Sequence, residues 1–347
     1  MSFETASTAP VAKSSPLSLS PLSLSTLATA DSPVAWPSTC IWQSHAHLAF
    51  TDLVFFADAW FCVFREALAH VSAEGALRII RSRDGEHWFS VALISQPGVD
   101  LRDGKLIPHP NGSLQLIGAA VRYQPDYQLQ SQTWFSTDGC RWGNAQPNGP
   151  ENMWLWRMTW HATEASAQTP RAYAVGYHAK NPRFAQLYQS QNGLDFTAHG
   201  EPFAVSGYAN EAALQFSDGM GAAFDRGEAW CLLRRDPDVA MLGRSKAPYV
   251  DWQWQPCDRR IGGPQALCIH GIWLTTVRLY DNNIRTSVCR LEPDGQLTEV
   301  ITLPSAGDCS YAGMVCHATA QGQELWISYY SSHGATSAIY LAKIPFQ

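Results

Sequence analysis

Polar residues recur at one point of an otherwise apolar pattern. Counting five residues on from Trp60, Tyr173, Trp230, Trp273 and Trp326 reaches Arg65, His178, Arg235, Arg278 and Ser331. If those runs share a register, the arginines and the histidine converge on one rim although they are far apart in sequence. Clustered guanidinium groups hold anions, because their planar fork matches the two oxygens of a carboxylate. Histidines could add a base or a metal ligand, and His70, His178, His317 and His333 lie near run ends. None has a His, Asp or Glu partner at ligand spacing on a helix, so structural histidines are expected, with no metal and no cofactor. His45 and His47 fall on one face of a short segment and read as a half-exposed strand face.

Convergence requires that the runs be copies of one unit. Six segments open near Asp52, Asp103, Arg157, Glu211, Pro264 and Tyr311, at intervals of about 51, 54, 54, 53 and 47 residues. Each is followed by a second β-branched, aromatic and aliphatic run, AWFCVFRE in the first unit and ELWISYYSS in the last, and then by further strand-like segments. A period near fifty residues is blade-sized. It predicts an all-β chain, a six-bladed β-propeller over residues 38–347, with the ends of the two inner strands of every blade around a central channel. The last unit supplies only three strands. Cys40 to Phe50 has the character of the missing fourth, and its pairing with Ser337 to Phe346 would close the ring and hide both edges. Trp154, Trp156 and Trp160 read first as core and second as a platform for a sugar face. The polar stretch Gln124 to Gln132 reads as a rim insertion.

Composition narrows the partners. Hydrophobic residues make up 46% of the 347, with 14 Trp, enough for a large core. A net charge of -6, with only 16% charged residues and no basic stretch, excludes a phosphate-tracking surface, so no nucleic-acid partner is expected. No run is apolar for the eighteen or so residues of a membrane span, and the start lacks a conventional signal peptide. The nine cysteines form no Cys-x-x-Cys pair, and several lie in apolar runs, which favours reduced thiols and a cytoplasmic over an exported location. The Ser- and Pro-rich stretch up to Pro37 reads as a disordered tail of residues 1–37. A monomer is expected.

Three turns carry a family signal. Ser82-Arg-Asp84-Gly85-Glu-His-Trp88, Ser136-Thr-Asp138-Gly139-Cys-Arg-Trp142 and Ser190-Gln-Asn192-Gly193-Leu-Asp-Phe196 resemble the Asp-box, or BNR repeat, of the sialidase superfamily. In such a turn the Asp or Asn side chain accepts from nearby backbone N–H groups, Gly takes a positive φ, and the aromatic packs beneath the hairpin. The three boxes are one residue shorter between Asp and aromatic than the commonest form, and units four to six lack them. The resemblance covers residues 40–347.

That resemblance implies a glycoside hydrolase with a Tyr nucleophile, a neighbouring Glu that activates it, an Asp acid/base and three arginines on the substrate carboxylate. Matched in order, Glu211, Arg234 or Arg235, Arg278 and Tyr311 occupy the implied positions. Unit one departs: Thr51-Asp52-Leu53 stands where sialidases carry Arg-Ile-Pro. Arg65 or Arg102 would have to supply the first guanidinium, and Asp52, ahead of Glu66 or Asp103, the acid. The expected site is therefore Tyr311, Glu211 and Asp52 for catalysis, with Arg65, Arg102, Arg235, Arg278 and His178 on a carbohydrate, most simply an acidic glycan. Two other readings stay open: a uronate lyase, in which Arg neutralises the carboxylate while His or Tyr takes a proton, and a propeller that binds glycan or protein without chemistry.

Overall fold

The six opening runs become the innermost strands of six antiparallel sheets, and the elements of the computed structural model that are delimited among the described residues are strands. The structure describes residues 22–23, 29, 32–162, 169–180, 182–217, 226–334 and 336–346. Blade one is His47–Phe56, Ala59–Ala67, Ala76–Ser82 and Phe89–Ile94; blade two is Asp100–Pro108, Leu114–Arg122, Gln128–Ser136 and Gln146–Pro147. Blade three is Met153–His161, Arg171–His178, Ala185–Ser190 and Thr197–Ala198; blade four is Tyr208–Phe216, Ala229–Asp236, Met241–Ser245 and Gln253–Pro256. Blade five is Ile261–Ile269, Ile272–Leu279, Arg285–Leu291 and Leu297–Leu303.

Blade six closes the ring with a strand from the other end of the chain. Its Cys309–Thr319, Gly322–Ser331 and Ala338–Phe346 are joined by Thr39–Gln43, antiparallel, with Cys40 opposite Tyr340 and Gln43 opposite Ala338. The closing strand is shorter than Cys40 to Phe50, because His47–Phe50 already belongs to the inner strand of blade one. Ordered chain also begins before residue 38. Val34–Ala35 pairs in parallel with the outer strand of blade five, and Trp36 is buried beside it with its indole N–H on the Lys343 carbonyl at 2.9 Å. Apolar Val34 and Trp36 give this part of the Ser/Pro-rich segment something to bury, as does Leu22, whose N–H reaches the Pro345 carbonyl. Most of the rest of the proposed tail lies outside the described residues.

The second strands read as unbroken apolar runs because both faces are covered by neighbouring blades. Ala59–Ala67 is buried at eight of its nine residues. Trp60 of blade one stacks on Trp326 of blade six (centroids 3.8 Å apart), and Trp230 of blade four on Trp273 of blade five (4.5 Å). Equivalent tryptophans thus stack from blade to blade.

Turns between third and fourth strands brace the blades at the end opposite the second-strand tips. Asp84 Oδ1 accepts from the N–H groups of Glu86 (2.8 Å) and His87 (2.9 Å), and Asp138 Oδ1 from those of Cys140 and Arg141 (both 2.8 Å). Asn192 repeats the pattern with Leu194 and Asp195. Gly85 has φ 71°, and a Cβ there would lie 2.1 Å from Trp326. Only glycine supplies both the turn and the room.

Candidate active site at the channel mouth

Each inner strand contains a bulge at the same level. Pairing with the second strand skips between Ala49 and Asp52, Arg102 and Lys105, Leu155 and Arg157, Ala209 and Ala212, Gly262 and Gln265, and Ser310 and Gly313. A bulge re-aims side chains that a regular strand would send elsewhere. Here the skipped residues include Phe50, Asp103, Trp156, Glu211 and Tyr311, and all five line one cavity of about 350 Å³. The backbone is left-handed at Phe50 (φ 60°), Asp103 (52°), Ser310 (80°) and Tyr311 (51°), strain of the kind that persists at functional sites.

The centre of the cavity is a three-way contact. The Tyr311 hydroxyl donates to Glu211 Oε1 at 2.7 Å, and Arg234 Nη1 donates to both Glu211 Oε1 (2.8 Å) and the Tyr311 oxygen (2.9 Å). Glu211 Oε2 accepts the Gly263 N–H at 2.8 Å. A side chain at Gly263 would lie 2.7 Å from the Tyr311 ring, so the glycine both donates and makes way. Arg278 lies over the Tyr311 ring, 5.1 Å from its centroid. Burial, then the Glu211 charge, pushes the Tyr311 phenol well above its usual range, with Arg234 and Arg278 opposing. The phenol is therefore protonated, and its proton points at Glu211.

Asp103 faces the same cavity from blade two. It is 3% exposed, and its Oδ1 is buried without a hydrogen-bond partner among the described residues. Burial raises its pKa to about 6, against the opposing pull of Arg102 and Lys105. Trp156 Nε1 is likewise buried and unpartnered.

The expected site residues divide. Glu211, Tyr311 and Arg102 line the mouth. Asp52 does not. It lies beyond the bulge, down the channel, where Oδ1 accepts from Arg157 Nη1 and Oδ2 from the Leu106 N–H, both at 2.9 Å, and it lines a second cavity of about 470 Å³ together with Arg157 and Gln265. Arg65 is buried and bound bidentately to Asp100 (2.7 and 3.0 Å). Arg278 makes the equivalent contact one blade boundary from the end, with Asp308 at 2.6 Å. Asp100 and Asp308 each stand three residues before a bulge residue, Asp103 and Tyr311, so both pairs staple a second strand to the next blade's inner strand.

In blade four the corresponding acid position holds Arg260. Arg235 turns away instead, to the Ser206 hydroxyl and the Val239 carbonyl, and Arg234, opposite the bulge, takes the mouth. His178 also lies apart, its Nδ1 against the Lys180 and Pro182 carbonyls and its ring on Phe184. Trp154 and Trp156 line the mouth, whereas Trp160 lines the far cavity. Tyr127, in the rim segment, lines the mouth, while Gln128–Ser136 is regular strand. Among the described residues, which include all nine cysteines, there is no disulfide. His47, His70 and Asp308 form a cluster beside the mouth, with Asp308 Oδ2 3.0 Å from His70 Nδ1 and 3.7 Å from His47 Nε2. Arg278 donates to the other oxygen, so Asp308 links the two histidines to the second strand of blade five.

Set against solved structures, the chain superposes on a protein of unknown function from Dyadobacter fermentans with a TM-score of 0.73, at 17% identity over 89% of this chain and 98% of the other. It also superposes on a Penicillium chrysogenum α-L-arabinanase complexed with arabinobiose (TM-score 0.62, 10% identity, 90% of this chain and 99% of that one). A third match is a mutant Trypanosoma rangeli sialidase that displays trans-sialidase activity (TM-score 0.59, 12% identity), covering 90% of this chain and 58% of the sialidase. The fold is the sialidase-like six-bladed propeller. No family model and no curated protein matches the sequence. Among the described residues of this propeller, no helix is long and apolar enough to cross a membrane.

Proposed function

We propose that this propeller is a glycoside hydrolase acting at the channel mouth through a tyrosine nucleophile. The observation that carries the reading is the contact of Tyr311 with Glu211 and Arg234 on the wall of a sugar-sized cavity. A phenol with a high pKa is a poor nucleophile until its proton is taken, and Glu211 is hydrogen-bonded to that proton. Arg234 touches both oxygens, so it stabilises charge whichever of them carries it. Arg278 over the ring favours the developing phenolate further.

The second group is Asp103. With a pKa near 6 it is partly protonated at neutral pH, which suits a residue that gives a proton to the departing oxygen and then takes one from water. Attack by the Tyr311 oxygen on the anomeric carbon breaks the glycosidic bond as Asp103 protonates the leaving oxygen. Water then attacks the same carbon, loses its proton to Asp103, and frees Tyr311, which recovers its proton from Glu211. Two structural neighbours, an α-L-arabinanase complexed with arabinobiose and a Trypanosoma rangeli sialidase in complex with sialic acid, each at 10% identity, support a carbohydrate ligand.

The test is hydrolysis of a panel of aryl pentosides, hexosides, uronides and sialosides by the wild type and by Tyr311→Phe. The variant removes one oxygen from a packed ring, so the fold should persist while turnover falls by roughly three orders of magnitude or more. Turnover unaffected by the substitution, or absent from the wild type on the whole panel, refutes the reading. An unsaturated product absorbing in the ultraviolet would point instead to elimination.

A further inference from the structure

The geometry points to a site for a divalent ion of the zinc class at the edge of the channel mouth, held by His47 Nε2, His70 Nδ1 and Asp308 Oδ2. It stands apart from the hydrolase reading. The three ligand atoms lie within 4.8 Å of one another, although their residues come from opposite ends of the chain. His47 opens the inner strand of blade one, His70 follows the second strand of that blade, and Asp308 immediately precedes the inner strand of blade six. Ring closure brings them together, so no spacing along the sequence announces the set.

The distances suit an ion better than a purely hydrogen-bonded cluster. A tetrahedral ion with bonds of about 2.0–2.1 Å sets neighbouring ligand atoms about 3.3 Å apart. Asp308 Oδ2 lies 3.0 Å from His70 Nδ1 and 3.7 Å from His47 Nε2, values that bracket that edge. Hydrogen bonding accounts only for the shorter contact, because 3.7 Å is too long for one. His47 Nδ1 is buried and has no hydrogen-bond partner among the described residues. An ion at the cluster gives this largely buried ring the partner that its Nε2 lacks.

The carboxylate is already oriented. Asp308 Oδ1 accepts from Arg278 Nη2 at 2.6 Å and from the Tyr330 hydroxyl at 2.7 Å, which fixes the plane of the group and leaves Oδ2 to the histidines; supporting bonds of this kind orient metal ligands. His70 is the adjustable member. Its side chain is 52% exposed, yet its carbonyl accepts from Arg102 and that of Ala69 from Arg65, so the backbone is held while the ring can turn. Two imidazoles and one carboxylate favour a borderline ion such as zinc over calcium or magnesium, which take oxygen ligands. Three protein ligands leave a fourth position open, as catalytic zinc sites do. His70 also lines the mouth cavity, which puts the ion within reach of an oxygen of a molecule bound there.

The test is a zinc titration of the full chain after chelator treatment, at about pH 7.5, followed by calorimetry and by X-ray absorption at the zinc edge. One equivalent should bind with a micromolar Kd or tighter. Its ligand shell should consist of nitrogen and oxygen at about 2.0–2.2 Å, without the sulfur at about 2.3 Å that a cysteine site gives. His70→Ala and His47→Ala should each weaken the binding by about tenfold or more, and calcium should not compete. His70→Ala changes an exposed side chain, so unchanged circular dichroism and an unchanged metal-free melting temperature are expected and keep the comparison sound. Absence of binding, a sulfur shell, or an affinity indifferent to His70→Ala overturns the inference. None of these readouts is turnover, so their failure leaves the hydrolase reading untouched, and failure of the Tyr311→Phe test leaves the ion site untouched.

Discussion

Asp103→Asn should stabilise the protein at neutral pH and leave its stability nearly unchanged at pH 4. Burial lifts the Asp103 pKa from 3.8 to about 6, so between those values the unfolded chain loses its proton while the folded chain keeps it. The unfolded state then binds fewer protons, and stability falls as pH rises through that window. A shift of about two units corresponds to about 3 kcal/mol at 1.36 kcal/mol per unit, fully expressed once the pH exceeds the folded value. Asparagine removes the charge at all pH values, keeps the side chain's shape, and tolerates the left-handed backbone (φ 52°) at this position. Lys105, whose pKa burial and Arg157 lower to about 8, stays largely charged below pH 7 and does not obscure the comparison. The assay is urea denaturation of both proteins from pH 4 to 7. The difference in unfolding free energy should grow from near zero to about 3 kcal/mol. A difference that is flat with pH, or that grows toward acid, would show that Asp103 is not held as a buried, unpaired acid, and the proton-donor role would go with it.

The contrast between adjacent arginines is testable by conservative exchange. Arg234→Lys should lower kcat at least about a hundredfold on the best glycoside found, because one ammonium cannot span Glu211, Tyr311 and Asp236, whereas Arg235→Lys should leave kcat within a factor of about two. The reverse order would return Arg235 to the mouth. Deleting residues 1–21 should leave the melting temperature nearly unchanged, while deleting 1–44 removes Leu22, buried Trp36 and the closing strand Thr39–Gln43 and should lower it by well over ten degrees; equal melting temperatures would refute ring closure. Asp138→Ala should lower the melting temperature by a few degrees through loss of its contacts to the Cys140 and Arg141 N–H groups, without altering kcat, and an effect on kcat alone would place function at the opposite end of the channel.

The architecture was legible because a propeller repeats one unit and each unit repeats its constraints. The second strands had to be apolar on both faces, so AWFCVFRE and its counterparts stood out as runs. The three turns carried their own chemistry in Ser, Asp or Asn and Gly at fixed offsets. Closure followed from a strand missing in blade six and a spare strand-like segment before blade one. The tail boundary was harder: a Ser/Pro-rich composition hides single anchors such as Trp36, whose burial depends on the outer strand of blade five and the C-terminal strand together.

The site was legible by position and not by orientation, and the bulges explain both. The openings chosen from sequence, Asp52, Asp103, Arg157, Glu211, Pro264 and Tyr311, all fall in or directly after a bulge. A bulge breaks the alternation of side chains, however, so one residue decides between cavity and channel. Asp103 and Tyr311 lie within the bulge and meet at the mouth, while Asp52 and Arg157 lie one step beyond it and pair with each other at 2.9 Å down the channel. Register counting met the same limit in the second strands. Arg65, Arg235 and Arg278 do occupy equivalent places, opposite Ala49, Ala209 and Gly262, but that place faces the next blade. Whether an arginine there becomes a staple depends on an acid three residues before the following bulge: Asp100 and Asp308 are present, and Arg260 stands where the third would be. The signal for a structural role was therefore in the sequence, as an Arg and an Asp some thirty-odd residues apart repeated across two blade boundaries. It becomes readable only once the bulges supply the phase.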